Sequence, residues 1–387
     1  MADAAPPAAD VRDVHIRLER SGCLSACPQY SIELNGDGPA IYRGGDFVLV
    51  KGRHAYWPAP GAIGALLTEF KAAGFWSLRP EYVARTDDAP RNVLSVTIDG
   101  NTTSVVDFDG ESVGMPPAVT ALEGEVDAAA GVQSWVKGDA KTLTVLRAEG
   151  FDFHSQEAGD MLASAAAEAP EDLIVGLIAA GAPLAAGRSS FLRPAAEGSS
   201  ALEQAISAAR PAIVHRLIAA GALDAPGARE KALRSAAGAC DPGLVGEILA
   251  LRPNVNAGGA GGSTALMIAA GCAAAASGSG LESAGPKVID LLIAAGADVR
   301  AVDDHQDTAL HRVQDPAAVG VLLRGGARLE ARNDKDRTPL LTAGSENISL
   351  TLLDAGANPT AVDKGNQGLA AKARRLGWAR VLARLGR

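Results

Sequence analysis

Polar and apolar side chains alternate through the first part of the chain. His15-Ile16-Arg17-Leu18-Glu19 has the period of two that a half-buried strand needs, and Tyr30-Ser31-Ile32-Glu33-Leu34 repeats it. Asn35-Gly36-Asp37-Gly38 predicts a hairpin turn, after which Ala40-Ile41-Tyr42 returns as a strand. Phe47-Val48-Leu49-Val50-Lys51 is expected to continue the sheet. The period then becomes helical: Ile63, Leu66, Leu67 and Phe70 share one face of a helix over Ile63–Ala73, with Phe75 and Trp76 closing it against the sheet. Val93–Ile98 and Thr102–Phe108 predict a second hairpin around Asp99-Gly100-Asn101, and Pro117–Trp135 predicts a closing helix. The class implied is α+β with a mainly antiparallel sheet.

From about residue 138 the pattern is helical and self-similar. Leu292-Ile293-Ala294-Ala295-Gly296-Ala297-Asp298-Val299 returns at Leu322–Leu329 and at Leu352–Pro359. Earlier copies lie at Leu177–Leu184 and Leu217–Asp224, a drifted one at Leu249–Val255, and the first at Leu146–Phe153. In the regular copies an apolar pair ends a helix, and glycine supplies the left-handed cap that residues with a Cβ resist. A second signal, Thr264-Ala265-Leu266, Thr308-Ala309-Leu310-His311 and Thr338-Pro339-Leu340-Leu341, opens a helix with a threonine cap.

These two signals resemble the ankyrin repeat, whose motif is Thr-Pro-Leu-His-x-Ala. The resemblance covers roughly Asp139 to the C-terminus. Its late copies, Gly296, Gly326 and Gly356, are spaced slightly more closely than the usual repeat. It implies paired antiparallel helices stacked into an all-α solenoid, with fingers projecting from one edge. The array departs from a regular one in four places. Gly187–Ser199, where a finger should be, carries an extra segment with Phe191, Leu192 and Arg193. A Gly/Ser/Ala-rich insertion lies between Gly271 and Pro286. Lys141–Phe153 reads as a lone closing helix, and Gly368–Arg387 as a basic terminal unit without a glycine cap. The last two are expected to be caps.

Before the array, Arg20–Tyr30 with its Cys-x3-Cys-Pro-x-Tyr portion, the Gly-Asp-Gly turn and an aromatic strand resemble a bacterial domain family of unknown function. That family often precedes ankyrin arrays. The match spans about Val14–Val126 and implies a fold without an activity. The domain organisation expected is a disordered segment at 1–13, an α+β domain at 14–137, and the repeat array at 138–387.

Composition narrows the classes. The 387 residues are 47% hydrophobic but only 4% aromatic, which suits close-packed small-residue helices. The net charge of -9 argues against a nucleic-acid partner. The basic residues Arg374, Arg375, Arg380, Arg384 and Arg387 read as a solvated cap. No apolar run is long enough to span a bilayer, so no membrane insertion is expected. Ala2–Asp10 resembles the start of a mature exported protein whose signal has been removed. The location expected is periplasmic or secreted, with cytoplasmic as the alternative.

Little chemistry presents itself. Cys23 and Cys27 could form a disulfide, a redox pair or part of a metal site. The three-residue spacing departs from thioredoxin-like motifs, and no second ligand pair follows, so a structural bridge is the preferred reading. Cys240 and Cys272 follow the first helices of successive repeats, and a bridge between them is expected. His311 occupies the ankyrin histidine position, where local hydrogen bonding is its expected use. His305 lies near Asp303, Asp304 and Asp307 in a solvated acidic turn, and His54 and His154 have no evident partner. Asp87–Asp88 and the pair Asp107 and Asp109 lack a context demanding acid–base work. Gly258, Gly259, Gly261 and Gly262 form a finger rather than a phosphate loop.

No cofactor, metal or catalytic residue is therefore expected. The leading expectation is a monomeric, non-enzymatic protein-binding module, with Phe191, Arg193, His305, Asp307, Arg332, Lys335 and Arg337 as candidate contacts from the finger segments. The alternative is an enzymatic, redox or metal-binding N-terminal domain whose substrate the repeats recruit, marked by a deep polar pocket near Cys23, Cys27, His54 or Asp87.

Overall fold

The computed structural model describes residues 11–23, 27–86, 88–185, 187–188, 199–273 and 284–386. The tail at 1–10, Asp87, the finger residues Phe191, Leu192 and Arg193, and most of the insertion after Cys272 lie outside the described residues. The chain divides into two compact units, Met1–Pro183 and Leu184–Arg387.

The first unit carries a mixed seven-stranded sheet. Its strands are β1 (Val14–Arg20), β2 (Tyr30–Asn35), β3 (Ala40–Gly44), β4 (Gly52–Tyr56), β5 (Glu81–Val83), β6 (Arg91–Ile98) and β7 (Asn101–Phe108), in the order β4-β3-β2-β1-β6-β7-β5. Neighbours are antiparallel except β5, which runs parallel to β7. Register places the alternating apolar residues on one face: Leu18 opposes Ile32 and Leu94, and Ile16 opposes Leu34 and Val96. All six are buried. The β6–β7 turn uses Asp99 (φ 49) and Gly100 (φ 76), both left-handed as a two-residue hairpin of matching twist requires.

Helices follow: α1 (Ala62–Ala72), α2 (Pro117–Ala129), α3 (Gln133–Val136), α4 (Ala140–Ala148), α5 (Gln156–Glu168) and α6 (Glu171–Ala179). On α1, Ile63, Leu66 and Phe70 are buried, and Phe70 meets Phe75 edge-on at 4.8 Å. Two expectations need correction. Phe47–Lys51 is not a strand: Phe47 (φ 57) turns the chain, and the Leu49 and Val50 amides donate to the Val136 and Trp135 carbonyls at 3.0 and 2.9 Å. Val48 and Val50 are buried as their pattern implied, but they sit beside α3, and the edge strand is β4. The closing helix is also broken, because Gly131 (φ 61) ends α2 before α3 begins.

The short pair β8 (Gly187–Arg188) and β9 (Ser199–Ser200) opens the second unit. Its helices are α7 (Ala201–Ser207), α8 (Pro211–Ala219), α9 (Ala228–Gly238), α10 (Pro242–Ala250), α11 (Ala265–Ala270), α12 (Ala284–Ala294), α13 (Pro316–Arg324), α14 (Pro339–Thr342), α15 (Glu346–Asp354), α16 (Leu369–Leu376) and α17 (Ala379–Arg384). Between α12 and α13, Ala309–Arg312 forms a 3-10 turn. The core runs along the helices through Leu217, Ile248, Leu292, Leu322 and Leu352, each fully buried and each worth about 1.5–3 kcal/mol of transfer free energy.

Helix ends follow the glycine signal. Gly181, Gly221, Gly296, Gly326 and Gly356 all have φ between 91 and 97. In the drifted copy Arg252 takes the same left-handed turn at φ 54. The terminal unit differs from expectation: Gly386 (φ 70) does end it with a glycine in the left-handed region. Gly181 has a second constraint, since a Cβ there would meet the His154 ring at 2.4 Å.

Candidate functional site

Three successive loops of the second unit share one hydrogen-bonding scheme. Each begins with Asp303, Asn333 or Asp363, whose Oδ1 accepts from the amides two and four residues on. The bonds are 2.8 Å from both His305 and Asp307, 3.0 and 2.9 Å from Lys335 and Arg337, and 2.9 and 3.0 Å from Gly365 and Gln367. In each loop the first amide donates to the fifth carbonyl at 3.1 Å, and the fourth residue, Gln306, Asp336 or Asn366, is left-handed. An Asp or Asn side chain satisfying its own loop amides is the reason these turns close.

The loops are also tied to one another. The second amide of each donates to the preceding loop: Asp304 to Gly261 at 3.0 Å, Asp334 to His305 at 2.9 Å and Lys364 to Lys335 at 3.1 Å. Side chains repeat the step, with Asn333 Nδ2 donating to Asp307 at 2.8 Å and Arg337 Nε to Asp363 at 3.0 Å. Arg312 closes on Asp303. The carboxyls of Asp303 and Asp363 are held below their ordinary range. For Asp303, burial opposes the shift, and bonds from the loop amides and Arg312 outweigh it. For Asp363, the Gln367 amide and Arg337 are the main causes.

Five of the seven candidate contacts thus fall in or beside two adjoining loops, in two groups. Asp307 and Arg337 are half-buried, and their side chains join loop to loop. His305, Arg332 and Lys335 are exposed. His305 has Asp334 at 3.5 Å, and Arg332 caps the Asp336 and Val362 carbonyls at 2.7 and 3.0 Å. The Lys335 ammonium has no partner among the described residues. Phe191 and Arg193 lie outside the described residues.

His311 is structural. Its Nδ1 accepts from the Thr308 amide at 3.1 Å, leaving Nε2 to donate to the Arg337 carbonyl at 3.0 Å. That is the neutral tautomer, and burial holds the ring's pKa below the ordinary histidine value.

Behind these loops lies a cleft of about 470 Å³ between the last loop and α16. Arg337, Lys372 and Arg375 line it with Asp363, Gln367 and Leu341. Lys372 Nζ donates to the Leu341 and Ala343 carbonyls at 2.8 and 2.6 Å and lies 5.3 Å from the centre of the Trp378 ring. Its pKa falls to about 8, first because it is buried and then because Arg337 and Arg375 repel it. Of these residues the sequence reading selected only Arg337. Asp363 could have been found from its even spacing after Asp303 and Asn333. Nothing local marks Lys372 or Arg375, which stand on an ordinary basic helix.

In the first unit a polar cluster joins β1, β2 and β6 to α2. Arg20 donates to Asp127 at 2.8 and 3.1 Å and to Glu123 at 3.1 Å. Tyr30 donates to Asp127 at 2.9 Å and Asn92 to Glu123 at 2.7 Å. Glu123 is 2% exposed, and its Oε1 and the neighbouring Asn92 Oδ1 have no hydrogen-bond partner among the described residues. Burial, assisted by Asp107 and opposed by Arg20, raises the Glu123 carboxyl to about 7. Beside this cluster an open cleft of about 340 Å³ is lined by Arg20, Gln29, Tyr30 and Arg43.

His54 has the partners that its sequence neighbourhood hid. Nδ1 lies 2.6 Å from Glu149, Nε2 lies 2.8 Å from the Lys51 carbonyl, and the ring stacks on Trp135 at 4.9 Å. The cysteines pair as expected, Cys23 with Cys27 and Cys240 with Cys272. Asp107 accepts from the Gly110 amide at 2.7 Å and so serves its own turn.

The chain is therefore an α+β domain with a mixed sheet followed by a helical C-terminal region. Residues 14–130 match the model of a domain of unknown function, DUF6438. That agrees with the family resemblance carried by the Cys-x3-Cys-Pro-x-Tyr portion. No ankyrin family match accompanies it over the helical region. No curated protein matches the chain.

Proposed function

We propose that the helical region is an ankyrin-type solenoid and that it holds a protein partner along its fingers and concave face. The chain would act as a binding module of an exported bacterial protein, periplasmic or secreted. One observation carries this reading: three consecutive loops use the same Asx-closed turn and are bonded in a row. A row of loops fixed in this way leaves little backbone ordering entropy to lose on binding, which favours recognition. The loop tips supply His305, Arg332 and Lys335 as exposed contacts. The two disulfides point to an oxidising compartment and support export.

The test is affinity capture from the native envelope fraction with the whole chain as bait, set beside the double variant Arg332→Glu, Lys335→Glu. Specific capture by the wild-type chain that the variant loses is the expected result. Equal capture by both would remove the fingers as the binding edge, and no specific capture at all would remove the binding-module reading.

A further inference from the structure

We infer that the cleft lined by Arg337, Lys372 and Arg375 receives the carboxylate side chains of an acidic peptide segment on the partner. The inference rests on reading the helical region as a binding array, and it adds the chemistry of what is bound.

Charge is the first argument. Three cations share this cleft with one carboxylate, Asp363, in a chain whose net charge is -9. Asp363 is already engaged: both oxygens accept, one from loop amides and the other from Arg337 Nε. Among the described residues Arg375 has neither an ion pair nor a hydrogen bond, and the terminal nitrogens of Arg337 have none either. Lys372 uses two of its three protons on carbonyl oxygens. Donors of one sign thus converge without enough acceptors, and a bound anion would satisfy them.

Shape is the second argument. A volume of about 470 Å³ falls in the range of sites that take organic ligands and exceeds what a single inorganic anion fills. The wall is not purely polar, since Leu341 and Ala371 contribute apolar surface and Gln367 an amide. Glutamate or aspartate side chains on an extended backbone bring methylenes for that wall, a carboxylate for the cations and peptide groups for the amide. The placement also fits, because Arg337 belongs to the loop that carries the exposed Lys335, and Asp363 opens the next loop in the row. Lys372 supports the assignment as well: repulsion from Arg337 and Arg375 helps depress its pKa to about 8, and an anion would relieve that repulsion.

The test uses a fluorescein-labelled peptide of alternating glutamate and glycine, titrated by anisotropy into the whole chain at about 0.15 M salt, where distant charges are screened. Binding is expected, and Arg375→Glu should weaken it about tenfold or more, with Arg375→Gln intermediate. Arg374→Glu, on the same helix but outside the cleft, should stay within about twofold. Absence of peptide binding would overturn the inference, as would equal loss in the Arg374 and Arg375 variants. Displacement of the peptide by inorganic phosphate at lower concentration than by free glutamate would overturn the carboxylate assignment. Circular dichroism confirms that each variant is folded. If the peptide fails while native capture survives, the cleft is wrong and the binding module stands. If capture fails while the peptide binds at the cleft, the reverse holds.

Discussion

Arg252 carries a left-handed backbone, φ 54, where the equivalent positions of other helical hairpins have glycine. A side chain in that conformation costs about 1–2 kcal/mol, part of which glycine returns through the larger entropy of its unfolded chain. Arg252→Gly should therefore raise stability by about 0.5–1 kcal/mol, read from urea unfolding. Glu123 makes a second residue-scale prediction. Its carboxyl titrates at about 7 instead of the usual 4.5, so between those values the folded state keeps a proton that the unfolded state has released. The contribution is complete below about 4.5 and is lost as pH rises through about 7. Unfolding measured at several pH values in this window should show declining stability, and Glu123→Gln should flatten the decline. Lys372 shows the opposite linkage. Its pKa is lowered from 10.5 to about 8, so the second unit gains stability as pH rises between those values, while an anion in the cleft loses affinity. Arg375 on the same helix and Arg337 and Asp363 from the loops are the charges facing it.

The element scale shows where local pattern sufficed. β1, β2, β6 and β7 and helix α1 were legible because an alternating or helical period is a local consequence of backbone geometry. β5 was not, since three residues carry too short a period, and its parallel pairing with β7 depends on a distant strand. Phe47–Lys51 misled because alternation reports burial, and Val48 and Val50 are buried beside α3 instead of within the sheet. In the loops, Asn333 is the test case. Its Oδ1 accepts from Lys335 and Arg337, and its Nδ2 donates to Asp307. Asn333→Ala should cost about 2 kcal/mol and speed hydrogen exchange at the Lys335 and Arg337 amides. An unchanged exchange rate would show that the turn closes without the side chain.

At the scale of the whole molecule, the cysteines connect stability to compartment. Cys240–Cys272 closes a separation of 32 residues and Cys23–Cys27 one of 4. Loop-closure entropy then gives about 3–4 kcal/mol for the first and about 2 kcal/mol for the second. Cys240→Ser with Cys272→Ser should lower unfolding free energy by the larger amount, and reductant should have no further effect at that site. Among the described residues no helix is long and apolar enough to cross a membrane.

By itself the sequence determined the periods of β1, β2, β6, β7 and α1, the glycine-capped helix ends and the family resemblance of the N-terminal domain, and it favoured the cysteine pairs that the structure shows. Those features are written in short windows, in repeat spacing or in motif residues. Tertiary structure alone decided which charged residues meet. Arg337, Lys372 and Arg375 come from a loop and from the helix beyond the next loop, and Arg20, Glu123 and Asn92 from three separate elements. A side chain's partner depends on how elements stack and in what register. No period along the chain encodes that, because each element satisfies its own backbone before it meets its neighbours.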